Sequence, residues 1–504
     1  MTQPNILLVM ADQLNPAFLP VYGHKLVETP HLAALARRGT VFDNAYCNSP
    51  LCSPSRAVLM TGQLPSRSGV YDNAAEFRAD LPTFAHYLRA AGYRTILSGK
   101  MHFCGPDQLH GFEERLTTDI YPADYGWTPD WDRPRERPQW YHTMASVTEA
   151  GLCVRTNQID FDDEVTFAAE RALYEHVRGP DKRPFCLVAS LTHPHDPFAI
   201  TREYWDLYKH ADIDMPRVTH APDDAHSARL RQVCDLRVDG LSEADIRNAR
   251  HAYYGEISYV DANLGRLLKA LRDTGLEHNT VVIFASDHGE MLGERGLWYK
   301  MNFFEAAARV PLLAAGVPGA RAGRVRQCVS LADVLPTLVE IGGGDASALS
   351  GGAIDGRSLM PHLLGRGGHD EVIGEYLAEG TVAPMVMLRH GTLKFIHAPG
   401  DAVQLYDLAS DPDELNNLAG APSHVAELEG FRAFVAARWD LAALDRAVRE
   451  SQRRRRFVDG ALTQGVQRAW DFQPFRDAAK TYVRNTLPLD DLEAMARFPK
   501  VGKG

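Results

Sequence analysis

Pro4-Asn5-Ile6-Leu7-Leu8-Val9-Met10-Ala11-Asp12-Gln13 opens with an unbroken apolar run of strand length from Ile6, closed by an acid. A run without polar alternation suits a central parallel strand buried on both faces. Phe185 to Leu191 and Thr280 to Ala285 read the same way, and Arg94 to Leu97 is a shorter strand. Helical patterns lie between them. One spans roughly Thr29 to Arg38, with Thr29 as N-cap and Pro30 at the first helical position. A second runs from about Leu81 to Ala91 and stops at Gly92. The longest covers about Ser242 to Arg272, where Tyr253, Ile257, Val260, Leu264, Leu267 and Leu271 form one apolar stripe that Gly275 ends. Helix and strand in alternation predict a large, mostly parallel α/β sheet flanked by helices. Ligands of such sheets gather outside the carboxyl ends of the strands. Asp12 and Asp287 each follow a strand-like run and so are expected at one edge, although far apart in sequence.

Beyond about Glu371 the texture changes. Val372 to Tyr376, Met385 to Arg389 and Leu393 to His397 are short strand candidates, and Leu405-Tyr406-Asp407 leads into an acidic connection. The expected division is a catalytic domain over 1–370, a small antiparallel-sheet domain over 371–445, and an extended polar tail over 446–504. The Arg453 to Arg456 cluster is expected on a solvated or subunit-contacting helix face. With 504 residues the chain is too long for one modest core. Its net charge of −11 carries no basic excess, which argues against a nucleic-acid partner. No secretory signal and no run of membrane-spanning length is visible. Seven scattered cysteines do not resemble a disulfide framework, so a cytoplasmic protein is expected.

The chemistry centres on Cys52-Ser53-Pro54-Ser55-Arg56, followed by Leu59-Met60-Thr61-Gly62. The pentapeptide resembles the C-x-P-x-R signature at which sulfatases have their cysteine converted to formylglycine, and a thiolate attacking sulfur there would have no easy exit. A hydrated aldehyde at the same position offers one hydroxyl for attack and a second whose deprotonation expels the product. A hard metal ion is the natural activator of such a hydroxyl. Asp12, in Ala11-Asp12-Gln13, is a candidate ligand, as are Asp287 and His288, in Ser286-Asp287-His288-Gly289-Glu290.

The order and spacing of these motifs resemble the sulfatase branch of the alkaline phosphatase superfamily, over most of the chain. That resemblance implies oxidation of Cys52 to formylglycine by a formylglycine-generating enzyme. It also implies a metal, usually calcium with Mn2+ or Mg2+ as alternatives, held by Asp12, residue 52, Asp287 and His288. Many members carry two consecutive aspartates where this chain has Asp12-Gln13, so Gln13 either coordinates or contacts the nucleophile or sulfate, the second being preferred. Gly99-Lys100-Met101-His102 matches a motif whose lysine contacts sulfate and whose histidine assists the nucleophile. Pro194-His195-Asp196-Pro197 matches one whose histidine faces the leaving-group oxygen. Lys300, in Gly296-Leu297-Trp298-Tyr299-Lys300, matches a second sulfate-binding lysine. Cations around a highly charged transition state supply preorganised stabilisation, and Arg56 offers a planar fork to hold the nucleophile.

The likeness narrows to members of the family that act on choline sulfate. It is carried by Val70-Tyr71-Asp72-Asn73-Ala74-Ala75-Glu76, Gly105 to Phe112, Leu116 to Asp124, Lys300 to Glu305 and the tail after Arg446. Asn73 is then expected near the sulfate. A quaternary ammonium group has no hydrogen-bond donors, so aromatic faces and a carboxylate are the expected receptor. Trp127 is the first candidate wall, with Tyr141 and His142 beside it. Glu379 and Asp490 are candidate counter-charges, Asp490 in a neighbouring subunit's site of a homo-oligomer, a dimer or tetramer. Phosphonate monoester or phosphodiester hydrolysis, arylsulfatase activity, and an inactive sulfate-binding homologue are the competing functions.

Overall fold

The computed structural model describes residues 3–499 apart from 135, 139, 223, 237–239, 346–353, 467–469, 471–473, 476, 478–480 and 483–486. Its strands, in chain order, are β1 (Asn5–Ala11), β2 (Gly39–Tyr46), β3 (Arg94–Gly99), β4 (Glu114–Arg115), β5 (Gly151–Cys153), β6 (Phe185–Ser190) and β7 (Ala199–Thr201). There follow β8 (Thr280–Ser286), β9 (Arg309–Ala315), β10 (Gly323–Ser330), β11 (Glu371–Tyr376), β12 (Met385–His390), β13 (Leu393–His397) and β14 (Gln404–Asp407). The main sheet is eight-stranded in the order β10-β2-β9-β8-β1-β6-β3-β4. β1 pairs in parallel with both β6 and β8, and β6 with β3. β9 alone runs the other way, antiparallel to β8 and to β2. Two reversals cancel, so β2 points in the same direction as β1. The carboxyl ends of β1, β2, β3, β6 and β8 therefore share one edge of the sheet.

The continuous apolar runs have the expected physical cause. Leu7, Val9 and Ala11 of β1 enter one core, while Ile6, Leu8 and Met10 enter a second on the opposite face. The Glu243–Asp273 helix lies on the first face, its entry fixed by a capping box between Ser242 and Asp245. Gly275, at φ 71°, turns the chain back into β8. The helix expected from Leu81 begins only at Phe84, because Thr83 caps it through a reciprocal hydrogen bond with His86. The first helix, Pro30–Arg37, starts at its proline as expected, although the Thr29 side chain makes no capping bond.

A second sheet, in the order β11-β12-β13-β14, is antiparallel throughout. Its fourth strand absorbs Leu405-Tyr406-Asp407, and it closes a separate core with Leu428 and Val435 of the Val425–Arg438 helix. The Leu441–Leu462 helix then runs through position 446 and returns to the main domain. The Arg453–Arg456 cluster on it is not simply a solvated face. Arg455 is buried against Asp72, Arg456 pairs with Asp130 and Arg453 with Asp132, so acids in the segments that follow β2 and β4 draw the helix down. Among the described residues no helix is long and apolar enough to cross a membrane.

Candidate active site

Cys52 is the first residue of the Cys52–Thr61 helix and is 2% exposed. The loop leaving β2 delivers it to the shared edge, with its side chain at the helix end where the backbone dipole favours negative charge. Asp12 follows β1, Lys100 follows β3, and Asp287 and His288 follow β8. Gly99, at φ 107°, ends β3 so close to β6 that any Cβ would meet the Ser190 carbonyl at 2.0 Å. That close approach lets Lys100 turn inward while its backbone N–H donates to Ser190 O at 3.0 Å.

One donor atom each from Asp12, Cys52, Asp287 and His288 lies within 4.8 Å of all the others. The residues expected to share a metal are thus brought together from three separate segments. His288 Nδ1 faces the Gly289 carbonyl at 3.0 Å, which leaves Nε2 turned toward Cys52 Sγ at 3.2 Å. Burial depresses the His288 pKa, with Lys300 adding to the effect, so the ring is neutral and its free lone pair suits a cation. Arg56 binds both acids, donating from Nε to Asp287 Oδ2 at 2.8 Å and from Nη2 to Asp12 Oδ2 at 2.7 Å. Its Nη1 reaches Ser190 Oγ at 2.8 Å. Lys100 Nζ lies 2.6 Å from Asp12 Oδ2 and 3.9 Å from Cys52 Sγ. Burial alone would raise the Asp12 carboxyl, but Lys100 and Arg56 outweigh it and hold the group well below its usual range.

A second group stands across Cys52. Lys300 Nζ donates to Gln13 Oε1 at 2.5 Å and to His195 Nε2 at 2.8 Å. His195 Nδ1 lies 2.7 Å from the Asp196 carbonyl and 3.1 Å from Tyr121 Oη. Burial first, then the Lys300 charge, keeps His195 neutral. Gln13 is drawn into this group rather than toward the pocket: its amide also donates to Asp196 Oδ1 at 3.2 Å and to Glu290. Glu290 is pushed up to about 7 by burial. His102, at φ 57°, has both ring nitrogens buried without a hydrogen-bond partner. Asp119 fixes the backbone there by accepting from Met101 and His102 N–H at 3.0 and 2.9 Å. Asn73 Oδ1 accepts from the Ser53 N–H at 2.9 Å and so ties the start of the Cys52–Thr61 helix.

A cavity of about 250 Å³ opens on this cluster. Cys52, Asn73, His102, His195 and Lys300 line its chemical end, and Tyr121, Trp127, Trp140, Tyr141, His142 and Glu379 line the rest. Trp127 and Trp140 are parallel within 15°, with centroids 6.1 Å apart. Burial raises Glu379 to about 8, and its Oε2 has no hydrogen-bond partner. Trp140, Tyr121 and Asp196 were not singled out from sequence. They lie in irregular segments without periodicity, and only their adjacency to Tyr141, to the Leu116 to Asp124 stretch and to His195 pointed at them. Asp490, on the exposed Leu489–Ala496 helix, is not among the residues lining this cavity.

A mostly parallel sheet with a buried cysteine, two carboxylates and an imidazole at one edge defines an alkaline-phosphatase-like hydrolase. The sulfatase family model matches residues 4–344, and one described as choline sulfatase enzyme C terminal matches 446–498. The chain belongs to the sulfatase family, the hydrolases of sulfuric esters. It is 49% identical to the choline-sulfatase of Rhizobium meliloti (strain 1021), over 99% of each chain. It is 31% identical to arylsulfatase K of Xenopus laevis, covering 84% of this chain and 81% of that one. Among solved structures, the phosphonate monoester hydrolase of Agrobacterium radiobacter superposes with a TM-score of 0.69 at 26% identity, covering 86% of this chain and 95% of the other.

Proposed function

We propose that this protein hydrolyses choline sulfate to choline and sulfate, with residue 52 acting as formylglycine after oxidation of Cys52 by a formylglycine-generating enzyme. The observation that carries the proposal is the cavity itself. It joins a cation-lined chemical end at Cys52, with Asp196 beside His195, to an aromatic box that holds the buried carboxyl of Glu379. A trimethylammonium group cannot be hydrogen-bonded, and aromatic faces with a nearby carboxylate are its natural receptor. The full-length likeness to a choline-sulfatase supports the same substrate.

The donor set fits a hard divalent cation, because two carboxylates, a neutral imidazole and residue 52 converge within 4.8 Å. Asp12, Asp287, His288 and residue 52 would hold it, calcium first with Mn2+ or Mg2+ as alternatives. Bound there, the ion would withdraw charge from the attacking hydroxyl and from a sulfate oxygen. The aldehyde hydrate would supply one hydroxyl to attack and another to release sulfate.

The remaining steps belong to side chains. Arg56 locks Asp12 and Asp287 in place through its fork. Lys100 and Lys300 flank residue 52 and stabilise the charge that develops on sulfate oxygens. His195 is neutral and accepts a hydrogen bond from Lys300, so the pair can pass a proton to the departing choline oxygen. His102, with two unpartnered ring nitrogens, is the group free to take a proton from the residue 52 hydroxyl.

The seven cysteines are free thiols, which supports a reducing, cytoplasmic location. Exposed Phe457, Val466, Phe475 and Met495 support a homo-oligomer built on the tail, in which Asp490 serves a neighbouring copy. The division at 370 and 445 stays a proposal, with the Leu441–Leu462 helix spanning the second boundary. Phosphonate monoester hydrolysis is the second reading, favoured by the likeness to a solved hydrolase of that kind. Steady-state turnover of choline sulfate, its uncharged carbon isostere 3,3-dimethylbutyl sulfate, an aryl sulfate and a phosphonate monoester separates the readings. Choline sulfate should have the highest specificity constant, and preference for the phosphonate would overturn the proposal.

A further inference from the structure

The Leu441–Leu462 helix touches neither the metal-capable cluster nor the cavity, yet Arg455 on it is 5% exposed and carries an unusual load. Its guanidinium grips both oxygens of Asp72 at 2.7 Å each, and its Nη1 also donates to Thr128 Oγ1 at 3.1 Å. Asp72 directly precedes Asn73, at the chemical end of the cavity. Thr128 directly follows Trp127, in the aromatic wall. One side chain thus fastens the two ends of the pocket to each other.

The two ends are not equally secure without it. Asn73 is also held by Ser53, and Asp72 accepts from the Ala74 and Ala75 N–H groups. The short Tyr125–Trp127 turn is closed largely by bonds within itself, from Gly126 N–H to Asp124 and from Thr128 to the Tyr125 carbonyl. Tyr125 Oη reaches Glu76 at 2.9 Å and the Cys104 thiol lies between the Ala74 and Asp124 carbonyls, both ahead of Trp127, while the Arg455 bond to Thr128 ties the far side of the turn to the sulfate end.

We propose that Arg455 is a positioning residue for substrate selectivity, setting Trp127 against the nucleophile through Thr128 without touching substrate. The proposal deepens the choline sulfate reading and rests on it. A planar five-donor fork is required, since one ammonium cannot serve Asp72 and Thr128 in fixed directions at once.

Arg455→Lys and Thr128→Val are the informative variants. Both keep the buried Asp72 opposite a cation. Each should raise KM for choline sulfate about tenfold, the scale of one lost cation–π wall, with kcat within about threefold. Specificity for 3,3-dimethylbutyl sulfate should change by much less. Thr128→Ser restores the hydroxyl and should restore KM. The double variant should be no worse than Thr128→Val alone, which already cuts the Arg455 link together with the Thr128 hydroxyl bond to the Tyr125 carbonyl. Unchanged KM in both singles, or equal losses for the two esters, would overturn the proposal. If wild-type enzyme proves indifferent to the cation, the choline sulfate reading fails separately. A crystal structure of Thr128→Val then decides the positioning claim, since Trp127 must be displaced relative to wild type.

Discussion

Replacing Glu379 by Gln removes a charge and leaves the volume of the pocket intact. The carboxyl is buried at the aromatic end, where burial first and Asp72 second raise it to about 8, against the opposing Lys300. At a separation of about 5 Å and an effective dielectric near 20, an ionised Glu379 attracts a quaternary ammonium by roughly 3 kcal/mol. Ionising a carboxyl of that pKa at pH 7 costs about 1.4 kcal/mol, one pH unit of work. The difference, roughly 2 kcal/mol, predicts a twenty- to thirtyfold loss of specificity constant for choline sulfate in Glu379→Gln at pH 7. The sign of the pH dependence follows. A bound cation favours the carboxylate, so its pKa falls in the complex and selectivity for the cationic ester rises as pH climbs through about 8, levelling above it. The assay is the ratio of specificity constants for choline sulfate over 3,3-dimethylbutyl sulfate from pH 6 to 9.5. Catalytic groups common to both esters cancel in that ratio. A ratio that is flat with pH in wild type and unchanged in Glu379→Gln would refute the reasoning.

Other outcomes follow from the same geometry. Cys52→Ala should abolish turnover while the thermal midpoint stays close to wild type, and intact-mass analysis of active enzyme should show the thiol-to-aldehyde loss at residue 52. Asp287→Asn should weaken the binding of Ca2+ or Mn2+ in a calorimetric titration. It also deprives Arg56 Nε of its charged partner, at a cost of about 1–3 kcal/mol in a denaturant melt. Trp127→Ala should raise KM for choline sulfate about tenfold, the value of one dry cation–π contact, and affect an aryl sulfate far less.

The chemical end of this site was legible because its residues sit at strand ends and in short motifs. Asp12 and Asp287 could be placed on one edge from two apolar runs, and β1 and β8 pair directly. The aromatic box was half legible. Trp127 and Tyr141 stood out as residues, but the partner face Trp140 lies in a stretch with no period, where only tertiary packing decides which ring faces which. Arg455 reads in the sequence as one of four arginines on a solvated or subunit-contacting helix face. Its burial depends on Asp72, 383 positions earlier, a pairing that no local pattern encodes. The starting point of the Phe84–Ala90 helix was missed for a smaller reason, since a Thr83 cap with His86 at the third position departs from the usual acidic partner.

The depth of Cys52 has a consequence for biosynthesis. At 2% exposure, and at the head of a helix clamped by Arg56, the thiol offers no surface to another enzyme once folding is complete. On the proposed formylglycine reading, oxidation falls while the clamp is open. Arg56 acquires Asp287 only after 231 further residues have been made. At roughly 5–20 residues per second, that leaves on the order of 10–50 s of translation during which the loop after β2 is exposed. On the same reading, a host that makes the chain faster than it modifies it would accumulate folded, inert protein, and later addition of the modifying enzyme would not rescue it without unfolding.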